Sequence, residues 1–377
     1  MAEQHKKRMV NIEILRLLAM AMVVSLHYLA KGELLEKLTG PLSPQGHLAW
    51  ILESFSIAAV DVYVLISGYF LVETGFRCRR VISLVLQVMF YTCLLPVFLV
   101  ITGVLSPGEI TFYNILQCIF PTNMLHYWFV SAYVLMFLFT PVLNAAVRGM
   151  GKRQLRGAIV LLLIMESLSK TVIPVRLELD NLGYDAYWFM VVYLIAAYIR
   201  LYGIPFLEKR GRAILCYTLS CFGMYLLTML IRGAYLVTGQ FENFMESAYG
   251  YNHLLTIGAA TALFYVFKNR EAEGKRPWAA KFICGIAPCS FGVYLLHEQV
   301  NVRYEWPFWL GADRCGSPGS LLLHWLGAVL TVMVIGLAVD YLRSLLFQGA
   351  GRLFAGGRLD RALRKADARV NGPVQEK

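Results

Sequence analysis

The sequence predicts an all-α polytopic membrane helical bundle of about ten transmembrane helices, with both termini cytoplasmic. Three observations carry that expectation. The chain is 58% hydrophobic and only 16% charged, with a mean hydropathy of +0.57, whereas a soluble domain is about 45–50% apolar and 25% charged. Apolar runs long enough to cross a bilayer recur along it, at roughly 10–30, 48–72, 81–103, 126–147, 157–174, 185–202, 213–237, 251–268, 282–303 and 320–346. The basic residues are also lopsided. Arg16, Lys31, Lys37, Lys170, Arg176, Arg232, Arg303 and Arg314 lie within helices or on one side, and the other 27 of 35 fall at the N-terminus, in alternate loops and in the tail. Lysine and arginine accumulate on the cytoplasmic side. The same asymmetry accounts for the formal charge of +11 without a nucleic-acid partner.

The first run, Val10–Ala30, carries Glu13, Arg16 and His27. Charged side chains inside a membrane segment are costly and mark function more often than not. From Arg16 to His27 is eleven residues, three helical turns plus roughly 20°, so both share one face about 16 Å apart. Glu13, three residues before Arg16, is placed to neutralise it. A blander reading makes Glu13–Arg16 a helix-pairing contact and His27 an interfacial residue. Lys6-Lys7-Arg8 precedes this run with no small-residue cleavage site after it, so a retained helix is expected rather than a signal peptide.

The second run holds Asp61 near the bilayer middle and Ser67-Gly68-Tyr69 towards its cytoplasmic end. An unpaired carboxylate at that depth would cost several kcal/mol, and Arg16 is one partner for it. Ser67-Gly68 serves either close helix packing or a site. Arg77, Arg79 and Arg80 follow at once; basic loops commonly just hold topology, but guanidiniums beside a polar cavity bind phosphates bidentately. Phe112–Asn123 reads as an additional, partly inserted segment. The fourth run opens with His126-Tyr127-Trp128 and contains Pro141; Tyr and Trp there are ordinarily interface anchors. The ninth ends Ser290-Phe291-Gly292-Val293-Tyr294-Leu295-Leu296-His297-Glu298, at a depth that lets His297 share a cavity with His27 or sit at the interface beside Glu298. Glu166 and Asp340 are further intramembrane carboxylates, and His324 reads as a helix-end residue. The eight cysteines form no CxxC pair and no cluster with histidine, so no metal site is expected. One membrane domain, 1–346, precedes a basic cytoplasmic tail, 347–377, expected to lie along the membrane surface. No internal repeat is visible, which disfavours inverted-repeat transporters.

Taken together, these motifs resemble the acyltransferase-3 family of bacterial integral membrane proteins. The resemblance rests on Glu13, Arg16 and His27 in the first helix, on Val60-Asp61 through Ser67-Gly68-Tyr69 in the second, and on the Arg77, Arg79, Arg80 cluster. Tyr127-Trp128-Phe129 with Pro141, and Ser290 to His297, complete it. It implies transfer of an acyl group, usually acetyl, from cytoplasmic acetyl-CoA to a hydroxyl of an extracytoplasmic glycan or other envelope molecule, in a bacterial cytoplasmic membrane. On that footing His27 is the general base, with Arg16, Glu13 and Asp61 balancing charge. Arg77, Arg79, Arg80, Ser67 and Gly68 hold the donor, and Tyr127, Trp128 and His297 stand on the acceptor side. Acyl-CoA is a donor substrate; no permanently bound cofactor is expected, and there is no P-loop. Two departures stand out. The arginine and proline that often follow the basic cluster are absent, and no extracytoplasmic hydrolase-type domain is fused, so a separate transferase partner would have to supply one where transfer needs it. Direct transfer and an acyl-His27 relay both remain open. The rival readings are a carrier for a glycan, lipid-linked intermediate or amino acid, using the same polar stripe without chemistry, and a scaffold of an envelope-assembly machine.

Overall fold

The computed structural model describes residues 9–122, 124, 126–172, 181–269, 277–354 and 357–371. Lys6, Lys7, Arg8, Asn123, the end of the 157–174 run, Arg176, Arg270, Lys275, Arg276 and Lys377 lie outside them. Among the described residues the structure is all helical, with no strand.

The helices are α1 (Val10–Lys31), α2 (Pro44–Ser56), α3 (Ala59–Leu71), α4 (Cys78–Ile101), α5 (Phe112–Ile119), α6 (Trp128–Gly149), α7 (Lys152–Leu163), α8 (Ser169–Val172), α9 (Ala186–Tyr202), α10 (Arg210–Thr238), α11 (Leu254–Lys268), α12 (Pro277–Ile286), α13 (Ser290–His297), α14 (Trp306–Trp309), α15 (Pro318–Phe354) and α16 (Arg358–Asn371). Among the described residues, seven stretches are long and apolar enough to cross a membrane: α1, α2 with α3, α4, α6, α10, α12 with α13, and α15. Helix α9 is apolar but shorter, at 17 residues, and α11 has 15.

Several expected boundaries shift for local reasons. The 48–72 run divides at Ile57 and Ala58, just after the Ser54 and Ser56 hydroxyls donate back to the Trp50 and Leu52 carbonyls, bonds that bend helices. The 157–174 run relaxes from α7 into a π-turn at Ile164–Leu168 before α8. The ninth run is bent at Ala287–Cys289, around Pro288, and stops at His297 instead of 303. The Phe112–Asn123 segment shortens to α5, closed at its start by a Thr111–Asn114 capping box. Helix α15 continues past residue 346 to Phe354.

Helix α1 is the axis of the bundle. It packs against α2, α3, α11, α13 and α15, and most of its side chains between Ile12 and Leu29 are buried, with Leu18 exposed and Arg16 partly so. Its end is set by Gly32, where a Cβ would meet the Tyr28 carbonyl at 2.5 Å and Ala312 at 2.9 Å. The outer helices reverse the pattern of a soluble protein: Phe98, Ile101, Leu219, Leu230, Leu323 and Val334 are exposed. That is the surface a lipid-facing shell presents, with polar groups turned inward where helices satisfy them.

Candidate active site

The site is built on α1, because its polar residues face one side. Near the Val10 end, Arg16 bonds Glu13 at 2.8 Å, as the three-residue spacing anticipates. Eleven residues on, His27 Nδ1 lies 2.9 Å from His297 Nε2 and 3.1 Å from Glu298 Oε1. Lys31, one turn beyond His27, pairs with the same Glu298 carboxylate. The two histidines expected at similar depth are thus in contact, and Glu298 belongs to their network.

The hydrogen bonds assign the protons. His297 Nδ1 is 2.6 Å from the Val293 carbonyl, which only accepts, so Nδ1 carries the hydrogen and Nε2 the lone pair. His27 Nδ1, which faces that lone pair and a carboxylate, is therefore the donor. This leaves Nε2 of His27 as its basic nitrogen. The ring borders a small cavity lined also by Val60, Tyr63, Trp128, Phe129, Tyr251, Phe291 and Tyr294. Its volume is about 30 Å³, enough to admit a water-sized group. His27, His297 and Glu298 also bring one ligand atom each within 4.8 Å of the others, a spacing that a metal ion accepts. Yet His27 and His297 direct these nitrogens at each other, and Lys31 already neutralises Glu298.

A second cavity, of about 280 Å³, is lined by Arg16, Ser67, Phe70, Arg80, Leu84, Tyr133 and Phe137. Tyr133 donates to Ser67 Oγ at 3.2 Å. Phe129, on the His27 cavity, stacks on Tyr133, on the arginine cavity, with centroids 5.8 Å apart and planes at 18°. The two cavities meet across this pair, one turn apart on α6. Tyr63 ties the same region together by bonding the Arg16 carbonyl at 2.9 Å and Ser290 Oγ at 3.3 Å.

Several expected site residues fall elsewhere. Asp61 does not meet Arg16: its Oδ1 accepts from Trp188 Nε1 at 2.9 Å, and its Oδ2 has no hydrogen-bond partner among the described residues. The reason is helical geometry. Tyr63 points to α1, and Asp61, two residues earlier and about 200° round α3, faces α9. Gly68 also faces α9, where a Cβ would come within 2.8 Å of Ala196, so it serves close packing while its neighbour Ser67 lines the cavity. Of the three arginines only Arg80 lines that cavity; Arg77 is the N-cap of α4, and the exposed Arg79 lies 4.0 Å from Asp360. Tyr127 spends its hydroxyl on the Leu295 carbonyl at 2.7 Å, whereas Trp128 borders the His27 cavity beside Tyr184 and Tyr251. Glu166 pairs with Lys170. Asp340, buried, receives Gln87, Tyr91 and Arg343. Lys31 and Tyr63 were not singled out by sequence. The signal for Lys31 was present, since it follows His27 by four residues on the same face; that for Tyr63 was only its place between Asp61 and Ser67 in the second-helix motif.

A family model described as an acyltransferase domain matches residues 9–342. No curated protein and no solved structure matches the chain significantly.

Proposed function

The chain belongs to the acyltransferase-3 family, and on that premise we propose that it moves an acyl group, acetyl in the simplest case, from cytoplasmic acyl-CoA to a hydroxyl of an extracytoplasmic glycan or envelope molecule. The observation that carries the reading is the pairing of two unlike cavities across Phe129 and Tyr133. One holds Arg80, suited to a phosphate-bearing donor, beside Arg16, which is paired with Glu13. The other holds an imidazole whose Nδ1 is fixed by a histidine and a carboxylate.

The donor's phosphates rest against Arg80 and its neighbours, and the pantetheine arm leads the thioester past Ser67 and Tyr133 towards His27. A sugar hydroxyl is a poor nucleophile. His27 Nε2 takes its proton as the oxygen attacks the thioester carbonyl. The new bond is C–O and the broken one is C–S. The proton held on His27 then passes to the departing thiolate, leaving ester and free CoA. Glu298 and His297 keep the imidazole in the tautomer that does this and stabilise the imidazolium between the two transfers, the role an orienting carboxylate plays in acyl-transfer triads. Trp128, Tyr251 and Tyr294 give the acceptor flat apolar surfaces.

The membrane is a bacterial cytoplasmic membrane on this reading, with the arginine cavity on its inner side. The test is release of free CoA thiol from acetyl-CoA by membranes containing the protein. Acceptor-dependent release that falls at least tenfold in Arg80→Ala supports the donor site. A carrier predicts no thiol release and indifference to CoA.

A further inference from the structure

The C-terminal helix α16 does not lie free. It packs against α4 and places three side chains on the start of that helix. Asn371 accepts from the Phe76 backbone N–H at 2.7 Å through Oδ1 and donates to the Phe76 carbonyl at 2.9 Å through Nδ2. Asp367 Oδ1 accepts from the Cys78 N–H at 2.7 Å. Asp360 lies 4.0 Å from Arg79. Gly75 permits the approach, since a Cβ there would stand 3.0 Å from Asn371 Oδ1.

The ground that α16 occupies is chemically a phosphate site. The first N–H groups of a helix are unpaired and carry a partial positive charge, and in α4 the cap and first turn supply Arg77, Arg79 and Arg80. Anions collect at such places, and here the anion is the chain's own Asp367 carboxylate. The donor reading above puts the phosphates of CoA at Arg80, in this same first turn of α4, two residues after Cys78. Asp367 on the Cys78 N–H and a phosphate on it are mutually exclusive.

We propose that α16 is an intramolecular competitor of the acyl donor: Asp367, Asn371 and Asp360 stand in for the donor's phosphates, and α16 must leave the start of α4 before CoA seats fully. This rests on the donor site proposed above and adds its regulation. Apparent donor affinity is then reduced by the fraction of molecules in which α16 is docked. The few polar contacts that hold it are of helix-cap strength, so removing them should tighten CoA binding about three- to tenfold.

The experiment is equilibrium binding of free CoA to the full-length protein in nanodiscs, with hydrogen exchange of the 358–371 peptide followed in parallel. The variants are Asp367→Asn, which keeps the side-chain shape, Asp367→Ala with Asn371→Ala, and Arg80→Ala. The proposal expects tighter CoA binding in the Asp367 variants, weaker binding in Arg80→Ala, and faster exchange of 358–371 when CoA is added to the wild type. Unchanged or weaker CoA binding in the Asp367 variants, or slower exchange of α16 with CoA, overturns the competition while a weakened Arg80→Ala keeps the donor site. CoA binding indifferent to Arg80→Ala removes the donor site and the competition with it.

Discussion

At the scale of single residues, the His27 network makes the sharpest statements. Glu298 Oε1 lies 3.1 Å from His27 Nδ1, whose hydrogen bond goes to His297 Nε2, and is itself neutralised by Lys31. Replacing an orienting carboxylate by its amide leaves shape intact but spoils the tautomer. Glu298→Gln should therefore cut acyl transfer by roughly tenfold or more at unchanged expression, read as initial rate against protein amount. Transfer at the wild-type rate would remove Glu298 from the mechanism. Tyr63 is a separate case: Tyr63→Phe deletes bonds to the Arg16 carbonyl and Ser290, and should lower stability by about 1 kcal/mol, measured by thermal unfolding in detergent. Much of this site was legible beforehand. The eleven-residue spacing put Arg16 and His27 on one face, and Glu13 met Arg16 as its spacing required. The partner of Asp61 was not legible, because a carboxylate's nearest cation in sequence is no guide to which side of α3 it leaves. Trp188 lies 127 positions away, and only packing brings it there.

At the scale of elements, the inner helices meet through small residues. Gly68 lets α3 approach α9, and a larger side chain there must separate them, since even a Cβ would sit 2.8 Å from Ala196. Gly68→Leu should destabilise the protein by roughly 1–3 kcal/mol, the range for overpacking, seen as a lower unfolding midpoint of purified protein. An unchanged midpoint would mean that α3 and α9 do not pack as closely as described. Gly292 plays the same part between α13 and α15, where a Cβ would fall 2.3 Å from the Asp340 carboxyl. The apolar runs announced most helices from the sequence. Their breaks were less visible, because those depend on where Ser54, Ser56 and Pro288 turn the backbone, and hydropathy does not register that. The docking of α16 was invisible for a related reason. A basic tail suggests a membrane surface, while its acidic and amide residues settle on the start of α4.

At the scale of the whole molecule, the exposed apolar surfaces of α4, α10 and α15 make this a multi-pass membrane protein, and the lopsided basic residues predict its orientation. The charge asymmetry predicts both termini inside, which would put Cys78 on the inner side and Cys315 on the outer. A membrane-impermeant maleimide applied to intact cells should therefore modify Cys315 and spare Cys78, read by peptide mass spectrometry; the reverse pattern would invert the topology. On the proposed reading, that orientation would let one bundle take a donor from one side and an acceptor from the other, with His27 between. The most direct test of this account is transfer of radiolabelled acetyl from acetyl-CoA into envelope glycans, comparing membranes that carry the wild type with membranes that carry His27→Ala at equal abundance. The account predicts label in the glycan with the wild type and a loss of about a hundredfold or more in the variant. Equal labelling in both, or none from any acyl-CoA with the wild type, would contradict it.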